Sequence, residues 1–127
     1  MIVLDASAAL WALLQDGEAA TIMSSETLCA PFTIDAELVS ALRKQVRLGR
    51  VGVATAEAAI RVWPHIELNR YDIRPLLQRI WSLRDNLTAY DATYLALAEA
   101  LNCELVTADR HLASAAVTAA RVRLVTS

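Results

Sequence analysis

An α/β domain with a central, mostly parallel sheet is the fold that the sequence predicts, and three observations carry the prediction. Short β-branched apolar runs alternate with longer stretches at helical spacing; only three Gly and three Pro punctuate the chain; and no internal repeat or low-complexity linker divides it. Its 127 residues suit one compact domain. A chain of that length buries roughly 65 to 70% of the surface its unfolded form exposes.

The elements follow in order. Ile2 to Leu4 is a first strand, and Ser7 to Gln15, rich in Ala and Leu, a helix. A second helix is expected from Glu18 to Ser25, and "TLCAP" is a short strand ending at Pro31. From Ile34 to Leu48 the apolar Leu38, Leu42 and Val46 recur every four residues as the core stripe of a helix that Gly49 ends. "TAEAAIRVWPHI" predicts a helix capped by Thr55 and bent or stopped near Pro64. "IELNRYDI" holds a brief strand, Leu76 to Arg84 is helical, and "NLTAYDATYLALAEALN" is a strong helix stopped at Asn102. Glu104 to Thr107, Arg110 to Ala116 and Val122 to Val125 complete the chain as strand, short helix and strand.

Composition excludes several classes. The chain is 56% hydrophobic and 20% charged, far from the balance of a disordered segment, and its positive mean hydropathy (+0.36) suggests more apolar surface than a lone monomer needs. A partner or homodimer is therefore expected. No uncharged apolar run approaches the ~20 residues of a membrane span, and Asp5 interrupts the start too early for a secretion signal. A cytoplasmic protein without a membrane partner is the expectation. Cys29 and Cys103 lack CxxC spacing and fit reduced buried thiols rather than a disulfide or zinc site. The net charge of -2 argues against indiscriminate nucleic-acid binding, yet 11 of the 12 cations are Arg. The planar guanidinium can hold two phosphate oxygens at once, although ordinary solvated helix faces also carry Arg.

Two stretches make the same gesture. "IVLDAS" and "LVTADRHL" are apolar strands that end on an acid with a hydroxyl close by: Asp5 with Ser7, and Asp109 with Thr107. In open parallel sheets functional groups gather beyond the carboxyl ends of the strands, so these two ends should meet. Glu37 and Asp91 begin helices. Each acid taken singly has an ordinary explanation: Asp5, Ser7 and Asp109 as helix caps, Thr88 with Asp91 as a loose capping box, and Glu37 as a favourable charge at a helix N-terminus. Together they are harder to dismiss, because carboxylates gathered at one edge repel by as much as ~4 kcal/mol per 4 Å pair at intermediate dielectric. Such a cluster calls for a cation. All-oxygen donors suit Mg²⁺ or Mn²⁺ rather than Zn²⁺, and His65 and His111 are expected at the surface, not as ligands.

Glycine occurs only at Gly17, Gly49 and Gly52, so there is no P-loop and no dinucleotide fingerprint, and no serine sits in a GxSxG elbow. What remains is a metal held by carboxylates that activates water against a phosphoryl group. Arg43 and Arg47, on the helix beyond Glu37, and Arg110 are the candidate phosphate-backbone contacts.

At this point the chain resembles a known family. "MIVLDASAAL", "DAELVSALR", "AYDATYLALAEAL" and "ELVTADRHL" occur in the order and spacing of the PIN-domain family, and look like its VapC branch, the toxins of bacterial toxin–antitoxin pairs. The likeness spans Met1 to about Leu112. It implies a three-layer α/β/α sandwich and a Mg²⁺- or Mn²⁺-dependent endoribonuclease. It also implies the acidic quartet Asp5, Glu37, Asp91 and Asp109. By this resemblance Asp5 and Asp91 are the principal ligands and Glu37 is a ligand or the group that orients the attacking water. Asp109 binds through water or to a second ion, while Ser7 and Thr107 orient the carboxylates. The substrate implied is structured RNA, transfer or ribosomal, silenced by a VapB-like antitoxin whose tail crosses the site; a homodimer is implied as well. Trp11, one helical turn from Ser7, is either part of a partner groove or core.

Two rivals have other signatures. A phosphoacceptor receiver needs an acidic pair after the first strand and a Lys after a late one, whereas here Asp5 stands alone and Lys44 lies on a helix. A catalytically silent interaction domain need not keep all four acids.

Overall fold

The computed structural model describes residues 1–115, 118 and 120–126. Ile2–Leu4 (β1) is buried at every position, as expected of a strand covered on both faces of a parallel sheet. Leu28–Pro31 (β2) is equally buried, and Asn69–Tyr71 (β3), Glu104–Thr107 (β4) and Val122–Leu124 (β5) complete one five-stranded sheet in the order β3-β2-β1-β4-β5. All four pairings are parallel, with Val3 opposite Cys29 on one side and Leu105 on the other.

Helices Ala6–Leu14 (α1), Glu18–Ser25 (α2), Ile34–Arg47 (α3) and Val53–Val62 (α4) fall between the strands on the β2–β3 side of the path, and α1 packs on α2 and α3, as α3 does on α4. The chain then reverses direction across the sheet. Right-handed crossovers therefore put Leu77–Ser82 (α5) and Ala89–Leu101 (α6) on the opposite face, where α6 lies against β1, β2 and β4. The result is the expected three-layer α/β/α sandwich. Helix α6 is buried continuously from Ala92 to Ala98, so it is an interior helix rather than an amphipathic cover. Arg110–Ser114 (α7) links β4 to the last part of the chain.

Most expected boundaries hold within a residue or two. Thr55 is not a cap: α4 starts at Val53 with Gly52 before it, and Thr55 lies inside the helix. Ala and Val at the start propagate helix as well as Thr caps it, so the end moved upstream. Pro64 does stop α4, in a 3₁₀ turn at Trp63–His65. The helix expected from Leu76 begins instead as a 3₁₀ turn, Arg74–Leu76, around Pro75. The expected end of α7 at Ala116 lies outside the described residues. Trp11 is half-buried against the core, and Cys29 and Cys103 are both free thiols.

A side-chain knot braces the first layer to the sheet. Asp35, in the first turn of α3, accepts from Trp63 Nε1 at 2.7 Å and takes both Nε and Nη2 of Arg70 on β3 at 2.8 Å each. Among the described residues no helix is long and apolar enough to cross a membrane.

Candidate active site

The sheet order decides where the two acidic strand ends go. The path leaves β1 for β2 on one side, and β4 occupies the other, so the switch point of the sheet lies between β1 and β4. Asp5 follows β1 and Asp109 follows β4, and the expected meeting takes place. Thr107, the last residue of β4, is fully buried and donates to Asp5 Oδ2 at 2.5 Å. Ser7 Oγ donates to Asp5 Oδ1 at 2.7 Å, lies 3.2 Å from Thr107 Oγ1, and accepts from the Ala108 N–H. The Ala8 N–H also donates to Asp5 Oδ1 at 2.9 Å. Asp5 is thus helix cap and candidate site residue at once.

Asp109 caps α7, its Oδ1 accepting from the His111 N–H at 2.8 Å, while its own N–H donates to Thr107 Oγ1 at 3.0 Å. Asp91 stands in the first turn of α6, where its N–H donates to the Thr88 hydroxyl. Glu37 stands in the first turn of α3. All four acids therefore lie at helix N-termini along the carboxyl edge of the sheet, where the helix dipoles offset part of their repulsion.

The charges feel one another. Asp5 is 4% exposed, and burial pushes its carboxyl up to about 6 against the pull of Thr107, Ala8 and Ser7, with the Asp91 charge adding to the rise. Burial raises Glu37 as well, against Tyr94 and Thr33 and with help from the charges of Asp5 and Asp91. Burial and then the Asp109 charge raise Asp91, which Thr88 and His111 draw back down. The four acids form one electrostatic unit.

Two neighbours escaped the sequence reading. Tyr94 is fully buried, and that burial, with the charges of Glu37 and Asp5 beside it, holds its hydroxyl well above the usual phenol range. The Tyr94 hydroxyl, Thr33 Oγ1 and Glu37 Oε1 come near one another without reaching hydrogen-bond geometry, and each is left buried and unpartnered. Tyr94 lies three residues beyond Asp91, the spacing of one helix face, and that was the available signal. His111 is exposed, as expected, but it is not isolated, since its charge reaches Asp91.

The donor set fits a hard cation: carboxylates and hydroxyls, no thiol, and one buried carboxylate oxygen, Glu37 Oε1, with no hydrogen bond. Among the described residues, however, no three His, Cys, Asp or Glu side chains are grouped closely enough to hold an ion. A Mg²⁺-like ion tolerates this, because it keeps several waters and takes only one or two carboxylates directly.

The basic candidates are spread out. Arg110 is exposed beside Asp109. Arg43 and Arg47 lie about 9 and 15 Å along the α3 axis from Glu37, lining an apolar groove with Val39, Val53 and Ile60 between α3 and α4.

Comparison with known proteins agrees with this geometry. The family model of the PIN domain matches residues 2–117, and the chain belongs to the PIN-domain family. It is 50% identical over 112 residues to ribonuclease VapC9 of Mycobacterium tuberculosis, covering 88% of each chain. To ribonuclease VapC1 of the same organism it is 38% identical over 128 residues, covering 97% of this chain and 96% of the relative. Among solved structures, PAE2754 from Pyrobaculum aerophilum superposes with a TM-score of 0.68 at 30% identity, covering 95% of this chain and 81% of that one. M. tuberculosis VapC20, a toxin that cleaves the sarcin–ricin loop, shares the fold at a TM-score of 0.66 and 18% identity, covering 95% and 99%.

Proposed function

We propose that the chain is a Mg²⁺- or Mn²⁺-dependent endoribonuclease, the cytoplasmic toxin of a VapBC-type pair, acting on structured RNA such as transfer or ribosomal RNA. The observation that carries the reading is the buried Asp5 carboxylate, held by Thr107 and Ser7 across the switch point and linked electrostatically to Asp91 and Glu37, with Asp109 acting in turn on Asp91. The names of its relatives support ribonuclease activity.

The chain's residues divide the work. Asp5 and Asp91 would hold the ion, Asp109 would hold it through water or hold a second ion, and Glu37 would be a ligand or orient the attacking water. Ser7 and Thr107 fix both Asp5 oxygens, so the carboxylate is aimed before anything binds. When bound, the ion would lower the pKa of water and neutralise charge on the phosphoryl oxygens. Glu37, whose carboxyl is raised by burial and by its acidic neighbours, would be a better proton acceptor than a free carboxylate for a water beside it. Arg110 would touch a phosphate beside the cut, and Arg43 and Arg47 phosphates further away. The exposed Val39, Val53 and Ile60 around the α3–α4 groove suit a partner surface, for a second copy or a VapB-like antitoxin.

The test is cleavage of labelled total RNA and of matched single-stranded DNA by the purified chain with Mg²⁺, Mn²⁺ or EDTA, beside Asp5→Asn. Discrete RNA fragments that need metal and disappear in the variant are expected. Equal behaviour of wild type and variant on every RNA would refute the reading.

A further inference from the structure

We propose that the exposed Trp81–Arg84 stack beside the N-terminus of α6 is a platform that holds an unpaired base of the RNA strand next to the bond being cut. This deepens the ribonuclease reading and rests on it.

Trp81 is 68% exposed on α5, while Trp63 is buried and Trp11 half-buried. An indole left about two-thirds in water forfeits much of the burial that usually places Trp in a core. The Arg84 guanidinium lies 4.5 Å from the centroid of its ring, and Nη1 donates to the Trp81 carbonyl oxygen at 3.1 Å. Among the described residues it is the one cation found stacked on an aromatic ring, whereas four other arginines are tied to acids. Arg70, Arg74, Arg79 and Arg123 each bond a carboxylate. Among the described residues no carboxylate stands within ion-pair distance of Arg84. Its charge is therefore open to an anion from outside.

Position connects this pair to the acids. Trp81 and Arg84 line a groove of about 410 Å³ whose far wall is Leu87, Thr88 and Ala89. Thr88 is also the residue whose hydroxyl caps α6 by accepting from the Asp91 N–H. The groove thus ends at the cap of α6, three residues or about 4.5 Å along the helix axis from Asp91. Tyr90, 64% exposed, stands between Ala89 and Asp91 in the chain.

The chemistry favours a single strand of RNA. A flat aromatic face accepts any base, a stacked guanidinium strengthens that contact, and its outer N–H groups meet the phosphate that follows. A purely aliphatic partner surface would take the Arg84 guanidinium out of water with no carboxylate to answer its charge.

The test separates this platform from the catalytic reading. Anisotropy of a labelled, mixed-sequence 12-nucleotide single-stranded RNA is measured in EDTA against wild type, Trp81→Ala, Trp81→Phe and Arg84→Ala. Cleavage in Mg²⁺ and sedimentation are followed in parallel. Trp81→Ala is expected to weaken binding about tenfold, Trp81→Phe to restore most of it, and Arg84→Ala to weaken it and flatten its salt dependence. RNA should quench the tryptophan emission of wild type and leave that of Trp81→Ala nearly unchanged. If wild type cuts RNA while Trp81→Ala binds with unchanged affinity, the platform is overturned and the ribonuclease reading stands. Binding that depends on Trp81 in a protein that never cuts RNA supports the platform and sinks the catalytic reading. If Trp81→Ala turns a dimer into a monomer without changing the affinity of each subunit for RNA, the face is a subunit contact and the platform is overturned.

Discussion

At the scale of single residues, Asp5 is placed against its own stability. Its carboxyl titrates at about 6 in the folded protein against an ordinary 3.8, so the folded state binds the proton more tightly than the unfolded one. The associated stability is fully present below pH 3.8 and is lost as pH rises through about 6. At neutral pH the loss is ~3 kcal/mol. Asp5→Asn is therefore expected to raise Tm by several degrees at pH 7.5 in EDTA, and to make little difference near pH 4, while it abolishes RNA cleavage. Thermal melts at the two pH values check the first half and a cleavage assay the second. A lower Tm at pH 7.5 would overturn the argument. The same shift predicts that cleavage by the wild type declines as pH falls through about 6, where Asp5 takes up its proton. Thr107→Val, which keeps the shape but removes the donor to Asp5, is expected to move that decline to higher pH. A pH–rate profile unchanged by the variant would refute the link.

At the scale of elements, the sequence told strand from helix almost everywhere because each local pattern agrees with the fold. β1 is an apolar run because both of its faces are covered, and α3 shows its stripe because one face meets water. The four acids were legible for a related reason: each begins a helix, and helix starts leave marks in sequence. The Asp35 knot was not legible, because Asp35, Trp63 and Arg70 are distant in sequence and none has a spacing that declares the others. His111 was missed as a neighbour of Asp91 for the same lack of a signal, whereas Tyr94 had its helix-face spacing from Asp91 and was overlooked. Asp35→Ala would leave the buried Trp63 N–H without an acceptor and release Arg70, and is expected to cost about 1–3 kcal/mol. The half-exposed Arg70 pair contributes little of that. Urea denaturation measures the loss. Thr88→Ala removes the cap of α6 and is expected to cost about 1 kcal/mol, but to lower kcat as well, because the turn it fastens carries Asp91.

At the scale of the whole molecule, the parallel sheet and the helices packed on it bring four acids from distant parts of the chain to one edge. If they hold a divalent cation, Mg²⁺ or Mn²⁺ should raise Tm by mass action in wild type, and much less in an Asp5→Asn, Asp91→Asn double variant. Differential scanning calorimetry across a metal titration tests this, and an equal rise in both proteins would place the ion elsewhere. The hydrogen bond between Asp5 and Thr107 spans 102 positions of sequence, and β1, at the centre of the sheet, is flanked on one side by a strand made much later. During synthesis the first strand must therefore wait, partnered on one edge only, until Thr107 has left the ribosome. No nascent chain that lacks β4 can bring Asp5 and Asp109 to one edge, so translation itself holds that arrangement back until Thr107 has been made and released.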